Sequence, residues 1–145
     1  MSLPPQKYRE IVFQILYSRE FPASDAAETA LMLMGELKVT KKSVLSANER
    51  VEAIEEKRIL IDETISLAST EYTFDRISRV EKTVLRLGVY EILHDPAIPP
   101  LVAIAEAIRL TRKFGTPESA QFVNAILDQV YKKHGASLSE QPASV

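Results

Sequence analysis

Two histidines, His94 and His134, and no cysteine stand in a chain of 145 residues, which sets narrow limits on the chemistry it can perform. Each histidine falls beside an expected helix end, and neither has a second histidine at metal-ligand spacing. The absence of cysteine removes thiolate nucleophiles, disulfides and sulfur-bound metals. Glu55-Glu56 and Asp62-Glu63 are adjacent carboxylates, and neighbours in sequence do not face each other on a helix, so neither pair reads as an acid and a base. No glycine-rich loop precedes a helix in the manner of a phosphate or dinucleotide cradle. These absences point away from catalysis, and the expectation is a protein that is not an enzyme and uses no cofactor or metal.

The side chains that remain are bases and aromatics near helix ends. Lys7, Arg9 and Arg19 accompany Tyr17. Arg76, Arg79, Lys82 and Arg86 follow within one short stretch, and Arg109, Arg112 and Lys113 lead into Phe114-Gly115. Such mixtures can hold single-stranded RNA, the cations on phosphates and the rings on unstacked bases. The net charge of −2 does not argue against this, because the acids are concentrated. Residues 49–75 carry eight acids against three bases, residues 1–48 carry six bases against five acids, and residues 76–134 carry nine bases against six acids. A solvated acidic helix face is the plain alternative for the middle block.

With 46% hydrophobic residues, the chain has enough apolar material for one core without staples. The expected organisation is a single helical domain over residues 1–135 and a disordered tail over 136–145, which is rich in Ser, Gln and Pro. No apolar run approaches the roughly 20 residues needed to span a bilayer, and Met1–Lys7 lacks the apolar stretch of a signal peptide. The expected location is cytoplasmic, away from membranes.

Apolar residues recur at three and four rather than two, which predicts helices throughout. A first helix opens after Pro4-Pro5, with Tyr8, Ile11, Val12, Ile15 and Leu16 on one stripe, and ends near Phe21-Pro22. A second starts after Ser24 and runs through Leu31 and Met34 to Gly35 or Leu37. Residues 39–46 read as a polar connection, and 47–71 as one long helix carrying Val51, Ile54, Ile61, Ile65 and Ala68. Ser78 and Glu81 form a capping-box pattern opening a helix that Asp95-Pro96 stops. Gly88 inside that helix predicts a close approach by another helix backbone. Pro100 suits a helical first turn, with Gly115 after the last one. Thr116-Pro117-Glu118 opens a final helix that buries Phe122, Val123, Ile126, Leu127 and Val130. The fold class is all-α, a compact bundle of six to seven helices.

Three segments carry a resemblance to a known family. Arg9 to Ser18, reading Arg-Glu-Ile-Val-Phe-Gln-Ile-Leu-Tyr-Ser, resembles the first helix of the NusB transcription antitermination family. Val80 to Ile92 is similar to its central helix. Val102 to Ile108, then Lys113-Phe114-Gly115, then Phe122-Val123-Asn124 to Asp128, is similar to its C-terminal signature, in the family's order. The resemblance implies a NusB-like helical fold without catalytic activity. It also implies a partner, NusE, which is a small-subunit ribosomal protein. The pair would bind a boxA-like single-stranded RNA and join the RNA polymerase antitermination complex that reads through terminators in ribosomal RNA operons.

Carried over by position, the resemblance implies RNA contacts at Lys7, Arg9, Gln14, Tyr17, Phe114, Glu118 and Gln121. It implies partner contacts at Tyr17, Glu81, Arg86 and Phe122. Structural roles compete at three of these: Glu81 also fits the capping box, Phe122 the core, and Tyr17 packing on Phe21. The chain departs from the family in its N-terminal arm, where Leu3-Pro-Pro-Gln-Lys7 supplies few bases, and at Ala105, where an asparagine is usual. Tyr72 or Phe74 represents the aromatic often seen ahead of the central helix. Fewer arm cations mean fewer phosphate contacts and a flatter salt dependence. A homodimer is also possible in this family. A helical bundle that binds proteins with little RNA affinity of its own is the other reading, separable by RNA binding with and without NusE.

Overall fold

The computed structural model describes residues 3–135, and the expected tail at 136–145 lies outside them. Seven α-helices follow one another among the described residues: α1 Pro5–Ser18, α2 Ala26–Leu37, α3 Lys41–Glu56, α4 Arg58–Ala68, α5 Arg79–His94, α6 Pro100–Phe114 and α7 Pro117–Val130. A 3-10 turn, Phe74–Arg76, precedes α5, and a π turn, Tyr131–Gly135, follows α7. The helices divide into two packed units, one ending at Glu56 and one beginning at Lys57.

In the first unit, α1 packs against α2 and α3. Pro5 sits in the first turn of α1, where its missing N–H has no bond to lose. Asp25 caps α2 by accepting from the amides of Ala27 at 2.8 Å and Glu28 at 3.2 Å. The helix runs past Gly35 to Lys38, whose left-handed backbone (φ 53°) turns the chain. Residues 41–46 are not a polar connection. The Thr40 hydroxyl accepts from the Ser43 amide at 3.1 Å and opens α3. Val44, Ala47, Val51 and Ile54 then bury one helical stripe.

The expected long helix over 47–71 is two helices, with Lys57 (φ −102°, ψ 8°) between α3 and α4. Ile54 and Ile61 are seven residues apart whether or not the helix is continuous, so the apolar spacing cannot reveal this break.

The second unit is arranged around α5, which packs on α4, α6 and α7 and is buried on most of its circumference. Ser78 and Glu81 make both bonds of the capping box: Ser78 Oγ accepts from the Glu81 amide at 3.2 Å, and Glu81 Oε1 accepts from the Ser78 amide at 3.0 Å. Gly88 does lie at a close approach, though by a side chain rather than a backbone. A Cβ there would stand 2.8 Å from Leu127 Cδ1 of α7. Pro100 opens α6 and Pro117 opens α7, with Thr116 accepting from the Ser119 amide at 3.1 Å. Gly115 ends α6 with φ −122°, so it is not a left-handed cap. What favours glycine there is space, because a Cβ would stand 2.9 Å from the Thr111 carbonyl oxygen.

Candidate RNA and partner surfaces

In the second unit, four residues singled out from the sequence meet in one cleft. Glu81 of α5 and Glu118, Gln121 and Phe122 of α7 line a hollow of about 330 Å³, together with Glu71 and Tyr72. The helix starts position them. The capping box holds Glu81 in the first turn of α5, and the Thr116-Pro117 cap sets the register that turns Glu118 and Gln121 outward. Phe122 is half-buried rather than fully in the core. Its ring meets Tyr72 edge-on, with centroids 5.5 Å apart, a favoured aromatic geometry. Of the two aromatics ahead of α5, Tyr72 therefore belongs to the cleft. Phe74 lies under Lys82 Nζ, 4.7 Å from its ring centre, and beside Arg86.

Three carboxylates, Glu71, Glu81 and Glu118, border these rings. Such a lining repels phosphate and attracts cationic side chains, so this cleft suits a basic protein surface better than an RNA backbone. The resemblance implied RNA contacts at Glu118 and Gln121, and the structure places both in the same hollow as the partner candidates Glu81 and Phe122. Glu71 was read only as part of an acidic block. The aromatic next to it was the available signal.

Arg86 is not a surface group. It is 3% exposed, and its guanidinium donates to both carboxylate oxygens of Asp62, at 2.8 Å from Nε and 3.1 Å from Nη2. A residue so enclosed can steady α4 against α5 but offers nothing for a partner to touch. Phe114 is half-buried near the end of α6, with Lys113 Nζ 5.7 Å from its ring centre.

In the first unit, Lys7, Gln14 and Tyr17 fall on one side of α1 and are all half-buried. Arg9 is two residues from Lys7, about 200° around the helix at roughly 100° per residue. It is 7% exposed, so the expectation of an open RNA-contacting arginine does not hold for it. Tyr17 stacks on Phe13, centroids 5.6 Å apart, and meets Phe21 edge-on at 5.1 Å. The packing on Phe21 that competed with a binding role is therefore present. Arg19 pairs with Glu52 and donates to Asn48 Oδ1 at 3.2 Å.

Among the described residues there is no cluster of side chains that could hold a metal ion, and no helix long and apolar enough to cross a membrane. The class of protein is an all-helical bundle whose distinctive surface is a cleft of rings and carboxylates. The model of the NusB family matches residues 6–132, and the chain belongs to that family. It is 37% identical over 144 residues to the transcription antitermination protein NusB of Chlamydia pneumoniae, covering 99% of this chain and 89% of that protein. It is also similar to the solved structure of T. maritima NusB, with a TM-score of 0.76, 33% identity, and 92% and 94% of the two chains covered. A chain in the crystal structure of antitermination factors NusB and NusE in complex with dsRNA shares the fold. There the TM-score is 0.74 at 24% identity, over 88% of this chain and 96% of that one.

Proposed function

We propose that this chain is a transcription antitermination factor that binds a boxA-like RNA together with NusE. It acts by binding rather than by catalysis, in the cytoplasm, where RNA polymerase and nascent RNA are found. Membership of the NusB family supports the role, and a fold-mate has been crystallised with NusE and RNA. The observation that carries the division of labour is the cleft around Tyr72 and Phe122. It joins the exposed ring of Tyr72 and the half-buried ring of Phe122 to Glu71, Glu81 and Glu118, a combination suited to a basic protein. RNA is then left to the surfaces around Lys7, Gln14 and Tyr17 and around Phe114.

Because few cations stand near the N-terminus, NusE is needed to supply phosphate contacts that this chain lacks. A gel shift with boxA-like RNA tests this, run with the protein alone, with cognate NusE alone, and with both. A tight complex is expected only with both. Nanomolar binding by the protein alone at physiological salt would overturn the joint mechanism, and no binding in any lane would overturn the function.

A further inference from the structure

The cleft at Tyr72 and Phe122 does not end there. It shares Glu71, Phe122 and Ala125 with a second hollow of about 290 Å³, which is lined also by Leu67, Ala68 and Gln129. That hollow in turn shares Leu67, Ala68 and Gln129 with a third of about 230 Å³, reaching Leu60, Lys133 and His134. Sharing these residues, they line up as one groove along α7, walled by α4 at one end and by Glu71, Tyr72 and Glu81 at the other. From Glu118 to Gln129 it follows α7 for about 17 Å at the rise of roughly 1.5 Å per residue.

The α4 wall is the unusual part. Leu60 and Leu67 flank Thr64, at spacings of four and three, on one face of α4. Leu60 is 51% exposed and Leu67 71% exposed. Two exposed leucines two turns apart on one helix face, both lining a groove, are the form of a receptor for an apolar segment. The charges are unequal along the groove. One end carries Glu71, Glu81 and Glu118, whereas the other mixes Glu63 with Lys133 and His134.

We propose that the α4–α7 groove receives a segment of the protein partner, apolar along its length and basic at the end that meets Glu71, Glu81 and Glu118. This rests on the reading that NusE is the partner, and it extends that contact well beyond Glu81 and Phe122. Continuity with the Tyr72–Phe122 cleft and the charge complementarity of its acidic end favour the same protein over RNA, whose phosphates those carboxylates would repel.

The test measures the affinity of the full chain for cognate NusE by titration calorimetry, with thermal melts of each variant. Ala125→Arg fills the middle of the groove from an exposed position, and Leu67→Asp removes one of the two exposed leucines. Ile59→Asp, at an 86% exposed apolar position on α4 that does not line the groove, is the control. Ala125→Arg and Leu67→Asp should each weaken NusE binding at least tenfold with unchanged melting, and Ile59→Asp should not. Glu71→Lys with Glu118→Lys should slow association and reduce its salt dependence, whereas Lys133→Glu should do neither. If wild type binds NusE and the groove variants bind equally well, the groove is not part of the contact and the proposal fails while the function stands. If wild type does not bind NusE, both fail. Loss of RNA binding without NusE, or of self-association with NusE affinity intact, would assign the groove to another occupant and overturn the proposal.

Discussion

Arg86 on α5 and Asp62 on α4 form a two-point pair, Nε to Oδ1 at 2.8 Å and Nη2 to Oδ2 at 3.1 Å. The arginine is nearly enclosed, whereas the Asp62 side chain keeps 24% of its surface in contact with solvent. Arg58 approaches the same carboxylate at 3.8 Å, one turn away on α4. The ring of Phe74 lies 5.6 Å from the Arg86 guanidinium carbon. Arg86 thus ties α4, α5 and the turn between them together.

Arg86→Ala should destabilise the protein by about 2–3 kcal/mol. Breaking a fully buried pair costs roughly 3–5 kcal/mol, and Asp62 can recover some hydration here. Arg86→Lys keeps the charge but loses the planar fork, and should cost on the order of 1 kcal/mol. Urea unfolding compares the three proteins. Equal midpoints for wild type and Arg86→Ala would show that the pair contributes nothing.

Gly88 faces Leu127, which is completely buried and has little freedom to move aside. Gly88→Ala gains about 1 kcal/mol of helix propensity and loses a similar amount as Leu127 shifts, so its stability should stay within about 1 kcal/mol of wild type. Gly88→Leu has no such balance and should lose about 1–3 kcal/mol or more. Thermal melts decide it, and a Gly88→Leu protein as stable as wild type would refute the packing argument.

His94 ends α5 with its Nε2 buried and without a hydrogen-bond partner. Burial, and then the positive charge of Lys57, hold its imidazole below the ordinary value of 6.5. These outweigh the C-terminal helix dipole, which favours the cation. Between the folded and unfolded values the unfolded chain binds more protons, so stability is present above 6.5 and is lost as pH falls through the folded value. Urea midpoints for wild type and His94→Gln, taken at pH 7.5 and at pH 5.5, test this about one unit either side of the ordinary imidazole value. The wild type should lose more on acidification, and equal losses would remove His94 as the cause.

Helix starts with side-chain signals were legible in the sequence. Ser78 with Glu81, Thr116 with Pro117, and Pro100 each open the helix they imply, because a cap is a local bond between residues three apart or fewer. The break at Lys57 was not legible, since Ile54 and Ile61 keep their spacing through it. Nor was the pairing of Arg86 with Asp62, which are 24 residues apart in the chain and meet only once α4 lies on α5. The covered position of Arg9 was legible, since it stands three residues before Val12 and seven before Leu16 on the apolar stripe of α1. The cleft is intermediate: the resemblance pointed to Glu81, Glu118 and Phe122, and Glu118 stands one turn before Phe122 on α7, but only packing brings Glu81, Glu71 and Tyr72 beside them.

Glu81 and Phe122 should affect NusE binding in different ways. Glu81 has two local roles, one carboxylate charge at the cleft and one acceptor bond to the Ser78 amide. Glu81→Gln removes the charge and retains an oxygen that can close the capping box, so its melting temperature should stay close to wild type. Its association with NusE should slow and become less sensitive to salt, because a charge at the edge of an interface acts mainly on encounter. Glu81→Lys reverses the charge and also loses the cap, adding about 0.5–2 kcal/mol of destabilisation. Phe122→Ala removes a half-buried ring and its edge contact with Tyr72, so it should cost less stability than the roughly 3–5 kcal/mol of a fully buried phenylalanine. Its effect on binding should be larger, about 2 kcal/mol or more, expressed as faster dissociation of the complex. Association and dissociation rates at two salt concentrations, with melts of every variant, separate these effects. Slower association for Glu81→Gln and faster dissociation for Phe122→Ala, with both proteins folded, would place NusE on this cleft. If both variants remain folded and bind NusE with wild-type rates, the partner surface lies elsewhere on the molecule.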